Sequence, residues 1–299
     1  MMATTNSKVI GRTQWHNEPA VTRVFASRVL PAASPGNCGV SERAAAEQAR
    51  KLRFPFRSVL ACLLLWGWLC CRAEDNSHSS FARRAEENYR QARNKFQNNT
   101  NETVAAWQFG RACFDWADFA KDDDGRASVA NEGIAACRQV IAREPKSVDS
   151  HYYLAMNLGQ LAQTRTLGAL RIVEEMEREF KVVRDLDAGF DYGGPDRNLG
   201  LLYFEAPGWP ASIGSKSKAR KHLERAVELA PNYPENHLCL LEAYLKWGDK
   251  KNIQRELKVT EELLPRARKE FAGDSWTQSW ADWDVRWKKI QRKAGEMFR

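Results

Sequence analysis

The stretch KSKARKHLERAVELAPNYPENHLCLLEAYLK, residues 216–246, predicts two amphipathic helices joined by a short turn. In its first half, small and apolar residues recur every three to four positions from Ala219 to Leu229, so they share one face of a helix. Pro231 lacks a backbone N–H and begins a Pro-Asn-Tyr-Pro turn. A second apolar pattern of the same period ends at Leu245. The stretch is therefore expected to form one helical hairpin.

Four residues of this stretch resemble a known repeat. Ala219, Leu223, Ala226 and Pro231 have the spacing of the second helix of a tetratricopeptide repeat, so the stretch resembles that family. The resemblance implies a helix-turn-helix unit of about 34 residues that stacks on further copies of itself. Small residues are needed at such positions because helices approach within about 8–10 Å only where side chains are short.

Degenerate copies of the pattern lie on both sides, and an additional helix is expected over residues 81–96. The sequence therefore predicts an all-α, tetratricopeptide-like solenoid of helical hairpins, with about four degenerate repeats and a C-terminal capping helix. The repeat positions, in chain order, are Phe109, Gly110 and Cys113 with Gly133, Cys137, Val140 and Pro145; Leu154, Ala155 and Leu158 with Met176, Phe180, Val183 and Ala188; Leu199, Gly200 and Tyr203 with the stretch above; and Leu240, Leu241 and Tyr244 with a looser helix at 252–270.

The net charge of +8 does not indicate a nucleic-acid-binding protein. Residues 1–73 contain ten Lys/Arg and three Asp/Glu, so most of the positive excess lies in this leader and residues 74–299 are nearly neutral. A protein that neutralises phosphates needs basic groups clustered on its folded surface. We therefore expect no nucleic acid among the partners.

The leader has the layout of a secretory signal peptide at residues 50–73. Four basic residues between Arg50 and Arg57 precede an apolar run, and small residues at the usual positions favour cleavage after Ala73. The run is too short for a membrane anchor, which needs about 20 apolar residues. Lipid attachment at Cys70 or Cys71 stays an alternative, and membrane association is expected only if the chain is lipidated.

A signal peptide that starts fifty residues into a chain leaves two interpretations of residues 1–49. They are either a mis-annotated extension, or an Arg-rich and acid-poor transit segment, and we expect them to be disordered. Residues 74–299 are predicted to be the helical repeat domain. The protein is expected to be exported, and to be periplasmic or secreted.

Three cysteines follow the predicted cleavage site. Cys113 and Cys137 occupy packing positions on the two helices of one repeat, so they form either a disulfide or two buried free thiols. Cys239 has no obvious partner. Since no Cys or His cluster has zinc-ligand spacing and no nucleophile has a recognisable neighbourhood, we expect no metal, no cofactor and no enzymatic activity. An enzyme of unrecognised type is the least favoured alternative.

Several polar features are assigned to packing or solvent. His151 and His237 stand at equivalent positions of two repeats, where packing explains them better than a shared metal or general-base role. The acidic run at residues 121–126 resembles part of a calcium loop but has no Glu at the twelfth position. It is therefore expected to be an acidic, solvated loop between helices.

Two features exceed what repeat packing requires. The Pro- and Gly-rich segment 205–215 is longer than the turn of a normal repeat, and its Trp209 is a candidate to cover a ligand or to cap an exposed helix end. A tryptophan stripe also lies near the C terminus and is taken to cover the last hydrophobic face of the array, with a partner interface as the minority view. The stripe consists of Trp276, Trp280, Trp283, Trp287 and Ile290.

Residues 187–246 also resemble a narrower group, the periplasmic tetratricopeptide component that accompanies TRAP-type, solute-binding-protein-dependent transporters. The resemblance lies in LDAGFDYGGPDRNLGLLYFEAPGWPASIG, followed by KARKHLERAVELAPNYPENHLCLLEAYL. It implies a helical lipoprotein that engages a solute-binding protein, in some members with a central pore for a small organic solute.

In such solenoids the first helix of each repeat lines the concave face. The inward positions combine aromatic, apolar and charged groups of both signs, which suits a protein or peptide partner. The sequence therefore predicts an exported, non-catalytic scaffold for protein–protein interaction, with a TRAP-transporter accessory subunit as the narrower alternative. The predicted concave-face residues are Trp107, Arg111, Tyr152, Met156, Arg197, Leu201, Glu242 and Lys246.

Overall fold

The computed structural model describes residues 79–165 and 169–299. The predictions of an N-terminal extension at 1–49 and of a signal peptide at 50–73, with its lipid-attachment alternative, lie outside the described residues. Within the two described ranges, none of the helices is both long and apolar enough to cross a membrane.

The regular structure is helical, and the described residues contain no strand beyond one isolated bridge between Gly208 and Gly214. This confirms the predicted all-α class. The helices are α1 (79–98), α2 (Thr103–Ala117), α3 (Asp123–Ile141), α4 (Val148–Gln163), α5 (Ala169–Leu186), α6 (Phe190–Glu205), α7 (Lys216–Leu229), α8 (Pro234–Trp247), α9 (Lys250–Glu270) and α10 (Thr277–Met297), with a 3₁₀ turn at Asp274–Trp276 before α10.

Consecutive helices pair into hairpins. Helix α2 packs on α3, α4 on α5, α6 on α7 and α8 on α9, and each hairpin also touches the next through α3 and α4, α5 and α6, or α7 and α8. In addition, α2 contacts α4 and α6 contacts α8, so the first helices of the hairpins lie on a common inner side. These contacts confirm the tetratricopeptide-like solenoid of four units.

The small residues of the repeat pattern lie where two helices come closest. A Cβ added to Gly110 on α2 would lie 2.4 Å from Sγ of Cys137 on α3. One added to Gly200 on α6 would lie 2.6 Å from a side-chain carbon of Leu223 on α7. Real Cβ atoms do not approach so closely, so the close hairpin contact requires glycine at both positions.

The acidic run between α2 and α3 is exposed to solvent, as predicted, but it is not wholly a loop. Asp123 and Asp124 form the first turn of α3, and Asp122 is its N-cap, since its side chain accepts a hydrogen bond of 2.8 Å from the backbone N–H of Gly125. Carboxylates are stabilised at this end of a helix by the partial positive charge of the unpaired N–H groups. The negative charges therefore begin the helix instead of preceding it.

The tryptophan stripe covers the end of the array, as predicted. Trp276, Trp280 and Trp283 are buried and pack with Tyr233 and Phe271, and α10 lies against α8. The cap therefore covers the inner helix of the last hairpin.

The N-terminal helix reaches the same inner side. Helix α1 packs on α2 through Tyr89 and Phe96, whose rings lie 5.8 and 5.4 Å from that of Phe109. Arg84 Nη1 donates a hydrogen bond of 3.3 Å to the carbonyl oxygen of Asp274. Helix α1 therefore contacts the 3₁₀ turn that precedes α10.

The cysteine alternatives resolve in favour of thiols. Cys113, Cys137 and Cys239 are all free and buried. Burial raises the pKa of each thiol, because a thiolate would lose its hydration. These three side chains are therefore packing residues without nucleophilic character.

Candidate functional site

The inner faces of α4 and α6 are closed. Every residue from Ser150 to Gln160 and from Gly193 to Gly200 is buried. Three of the predicted partner-binding residues, Tyr152, Met156 and Arg197, have no exposed surface. A partner cannot touch these three side chains in this structure, and the prediction is corrected for them. Projection from the repeat pattern assumed an open concave face, whereas neighbouring helices and an internal polar network fill it here.

That network is centred on the guanidinium of Arg197. Nη2 donates to Asp191 Oδ2 at 2.6 Å, and Nη1 donates to Asn236 Oδ1 at 2.9 Å and to the carbonyl oxygens of Asp191 and Tyr192. The ring of Tyr233 lies 5.3 Å below the guanidinium. Burial alone would lower the pKa of Arg197, but the Asp191 carboxylate, together with the neighbouring phenol groups and Glu235, outweighs burial and the net shift is upward. Arg197 therefore stays charged inside the fold.

A left-handed turn at the start of α6 places Asp191 in this position. Asp191, Tyr192 and Gly193 have φ values of 48°, 56° and 76°. Two non-glycine residues in this region cost conformational energy, which surrounding contacts must offset. The Tyr152 hydroxyl supplies one such contact, donating to Asp191 Oδ2 at 2.5 Å, and Asn198 Nδ2 donates to that hydroxyl at 3.0 Å.

A second network joins α10 to α8. Arg286 donates to Glu235 Oε1 at 2.7 Å and to both carboxylate oxygens of Glu242, at 3.0 and 2.9 Å. The indole N–H of Trp283 donates to the other oxygen of Glu235 at 2.7 Å. Glu242, a predicted concave-face residue, thus lies on the inner side but is already paired within the chain.

The two histidines at equivalent repeat positions make equivalent contacts. Nδ1 of His151 lies 2.5 Å from Glu179, and Nδ1 of His237 lies 2.6 Å from Glu256. In both, Nε2 donates to a proline carbonyl at the end of the preceding hairpin. Since all ring nitrogens face acceptors within the fold, both histidines hold neighbouring hairpins together, which agrees with the predicted packing role.

Trp107 and Arg111 border an open groove on the inner side, although only 6% and 9% of their own surfaces are exposed. They lie on α2 along a groove against α1 with a cavity volume of about 170 Å³. Trp107 is stacked on Tyr153, with ring centroids 6.0 Å apart, and Arg111 Nε lies 3.7 Å from Asp115 Oδ2. We call this the α1–α2 groove. It is lined by Asn88, Gln91, Ala92, Lys95, Trp107, Gln108, Arg111, Ala112 and Asp115.

The remaining predicted residues lie near the ends of α6 and α8. Leu201 is half-buried, whereas Lys246 is exposed and its ammonium lies 4.8 Å from the centroid of the Phe204 ring. Trp209 is 89% exposed at the tip of the loop between α6 and α7, so it does not cap a helix end. The structure therefore does not bring these residues together with Trp107 and Arg111 in one pocket.

The residues that sequence reasoning missed are Asp191, Asn236 and Arg286. The GFDYGGP segment around Asp191 signalled an irregular turn through its glycines and proline, but nothing in it identified Arg197 as the partner. Among the described residues, no group of three or more His, Cys, Asp or Glu side chains is arranged to hold a metal ion.

The fold and these contacts define a class: a tetratricopeptide-like helical solenoid whose inner side is largely filled. Residues 72–169, less than half of the chain, match the model of a family described as Regulator of microtubule dynamics protein 1-3. A comparison with curated proteins gives no match.

Among solved structures, the chain resembles a thermophilic tetratricopeptide repeat protein from Thermus thermophilus, with a TM-score of 0.52 at 17% sequence identity. The alignment covers 74% of this chain and 96% of that one. At this identity the likeness supports the fold and nothing finer.

Proposed function

We propose that the protein is a non-catalytic scaffold that binds a segment of a partner protein in the α1–α2 groove. One observation carries this proposal: Trp107 and Arg111 border an open cavity, while the inner faces of α4 and α6 are filled. Tetratricopeptide-like folds present helix faces to protein partners, which makes an open groove on the inner side the first surface to consider.

The chemistry of the groove suits an extended peptide. Half of its polar lining is amide, from Asn88, Gln91 and Gln108, and amides both donate and accept hydrogen bonds, as a peptide backbone requires. The other half is charged, from Lys95, Arg111 and Asp115. A cavity of about 170 Å³ holds roughly six water molecules, which is the space of one or two side chains. The groove is thus too small for a folded domain but large enough for the anchor residues of a segment.

Filling the groove tests the proposal. Gln91→Trp places a large ring in the groove from an exposed position on α1, and Asn94→Trp adds the same ring at an exposed α1 position outside the groove lining. Proteins captured by the full chain from extracts of its host should be retained by N94W and lost with Q91W, as quantified by mass spectrometry. Equal capture by both variants would refute the groove as the binding surface.

A narrower second candidate is an accessory subunit of a TRAP-type transporter in the periplasm, supported by the resemblance of residues 187–246. It requires export, and N-terminal sequencing of the mature protein tests this directly, because cleavage should occur after Ala73. The role also requires that a solute-binding protein or a small organic acid raise the melting temperature. A mature protein that starts near Met1 would exclude this candidate and leave the scaffold proposal intact.

A third candidate partner follows from the family match over residues 72–169, whose description concerns microtubule dynamics. The matched range includes α1 and α2 and hence the whole α1–α2 groove. Co-sedimentation of the full chain with polymerised tubulin tests this partner, with Q91W and N94W as the matched pair. Binding that is lost with Q91W would assign the groove to microtubules, and absence of sedimentation would exclude them.

A further inference from the structure

The loop between α6 and α7 is closed at its base by its own backbone. Gly214 N–H donates to the Pro207 carbonyl at 2.9 Å, Ala211 N–H donates to the Gly208 carbonyl at 3.0 Å, and Ser215 N–H donates to the carbonyl of Tyr203 on α6 at 2.9 Å. A Cβ added to Gly214 would lie 2.0 Å from the Ala206 carbonyl oxygen. The two sides of the loop are therefore in tight contact, and its shape is fixed before any partner arrives.

This fixed loop presents one large aromatic side chain to solvent. Trp209 is 89% exposed, and the next most exposed large apolar residue among those described, Val285, is 65% exposed. Tryptophan buries more apolar surface on association than any other side chain and is enriched among residues that dominate binding energy. A tryptophan on a preorganised loop loses little conformational entropy when a partner covers it.

The surface beside the loop is basic. Helix α7 begins directly after the loop with Lys216 and Lys218, both exposed, and its first turn contains no acidic residue. The Lys216 ammonium lies 5.6 Å from the ring centroid of Trp247, and that of Lys218 lies 5.0 Å from that of Tyr203. Lysines at a helix N-terminus oppose the helix dipole, so they reduce the stability of α7 and add to the positive potential there.

The acidic groups at the base of the loop do not cancel this potential. Glu205 lies 4.0 Å from Lys246, and burial raises the pKa of its carboxyl group. Asp249 is bound by Arg220 at 2.8 Å. Glu177 attracts Lys218, but it is hydrogen-bonded to Lys181 and Tyr203. Within the part of the chain that the structure describes, neither Lys216 nor Lys218 forms an ion pair with a carboxylate, so their charge remains available to a partner.

We propose that Trp209, with Lys216 and Lys218, forms a second docking surface that binds an acidic segment of a partner protein. The indole ring is the apolar anchor, and the two ammonium groups at the start of α7 pair with carboxylates of the same segment. This surface lies outside the α1–α2 groove and shares no lining residue with it. The inference rests on the scaffold function but not on the groove.

Selection from a random peptide library tests the surface although the natural partner is not identified. A phage-displayed twelve-residue library is selected on the full-length protein and depleted against Trp209→Ala. We expect the recovered peptides to contain an excess of Asp and Glu. For a fluorescein-labelled recovered peptide, W209A should weaken binding by at least about 30-fold, as measured by anisotropy.

The charge contribution has its own variant and its own control. Lys216→Glu with Lys218→Glu should weaken binding and flatten its dependence on salt, because the screened attraction is lost. Val285→Ala truncates the next most exposed large apolar side chain, on α10, and should leave the affinity unchanged. Since all these side chains are exposed, circular dichroism should report an unaltered fold.

Three results would overturn the proposal: no peptide that depends on Trp209, dependent peptides without acidic excess, or Trp209-dependent binding of phosphatidylserine vesicles with no dependent peptide. The last result would assign the loop to a membrane surface. Q91W separates this test from that of the groove. A peptide selected for its dependence on Trp209 should bind Q91W and the wild type equally, and loss of its binding with Q91W would refute a second surface separate from the groove. The groove itself is tested by the capture of host proteins with Q91W and N94W.

Discussion

The strongest prediction of the structure concerns the buried guanidinium of Arg197. In Arg197→Met, the side-chain volume is nearly kept, but Asp191 and Asn236 lose their partner inside the fold. Two backbone carbonyls lose theirs as well. Removing one partner of a buried ion pair costs about 3–5 kcal/mol, because the remaining charge is left without compensation.

For a chain of this size, each kcal/mol lowers the melting temperature by about 2–4 °C, so R197M should melt roughly 6–20 °C below the wild type. Circular dichroism at 222 nm during heating and in urea measures both quantities. Arg225→Met is the matched control, because Arg225 is 53% exposed and its pair with Glu228 at 2.9 Å lies on the surface. We expect the control to change stability by less than about 1 kcal/mol.

The double variant Asp191→Asn with Arg197→Met separates charge from packing. It removes both members of the pair, so no uncompensated charge remains, and it should recover part of the stability lost in R197M. Equal melting temperatures for R197M and R225M would refute the reasoning. It would also be refuted if the destabilisation in the double variant equalled the sum of those in R197M and in D191N alone, because the two residues would then contribute independently.

Two further predictions use the same measurements. Gly200→Ala puts a Cβ 2.6 Å from a leucine side chain of α7 and should destabilise the fold by about 1–3 kcal/mol. Gly295→Ala is the control, because its Cβ would have nothing within 4 Å, and it should be neutral or stabilising. Similar effects of the two variants would contradict the close contact at Gly200. For His151, burial lowers the pKa, but the hydrogen bonds to Glu179 and to the Pro145 carbonyl outweigh it and the pKa is raised. The stabilisation is therefore complete below about pH 6.5 and lost as the pH rises through the raised value. Glu179→Gln should cost more at pH 5.5 than at pH 9 in urea unfolding, and a pH-independent cost would contradict the pairing.

The repeat units could be predicted because each depends on single residues that act on their immediate neighbours. Gly110 and Gly200 mark close helix contacts through the absence of a side chain, and Pro231 marks the end of a helix through the absence of an N–H. Each property belongs to one residue and acts on its immediate neighbours. The hairpins of the array therefore follow from the sequence, whereas the way the array closes does not.

The closed inner side could not be predicted because the residues that form it are far apart in the sequence. Arg197 pairs with Asp191 only after a left-handed turn that contains two non-glycine residues, and it reaches Asn236 on the next hairpin. Arg286 reaches Glu242 from α10, whose tryptophan spacing predicted a cap but not which helix it covers. Tyr152 and Met156 therefore stand at repeat positions that line the concave face in the family, but in this chain both side chains are buried.

A filled inner side changes how such a solenoid can bind. The buried Arg197–Asp191 pair is held by several hydrogen bonds, and separating its members inside the fold would be costly, so the array has little freedom to open around a ligand. Binding must then use surfaces that are already formed. The α1–α2 groove and the Trp209 loop meet this condition in different ways, the groove as a preformed cavity and the loop as a preformed projection. Because α1–α2 and the α6–α7 loop belong to different hairpins, one partner could occupy either surface without disturbing the polar network between them.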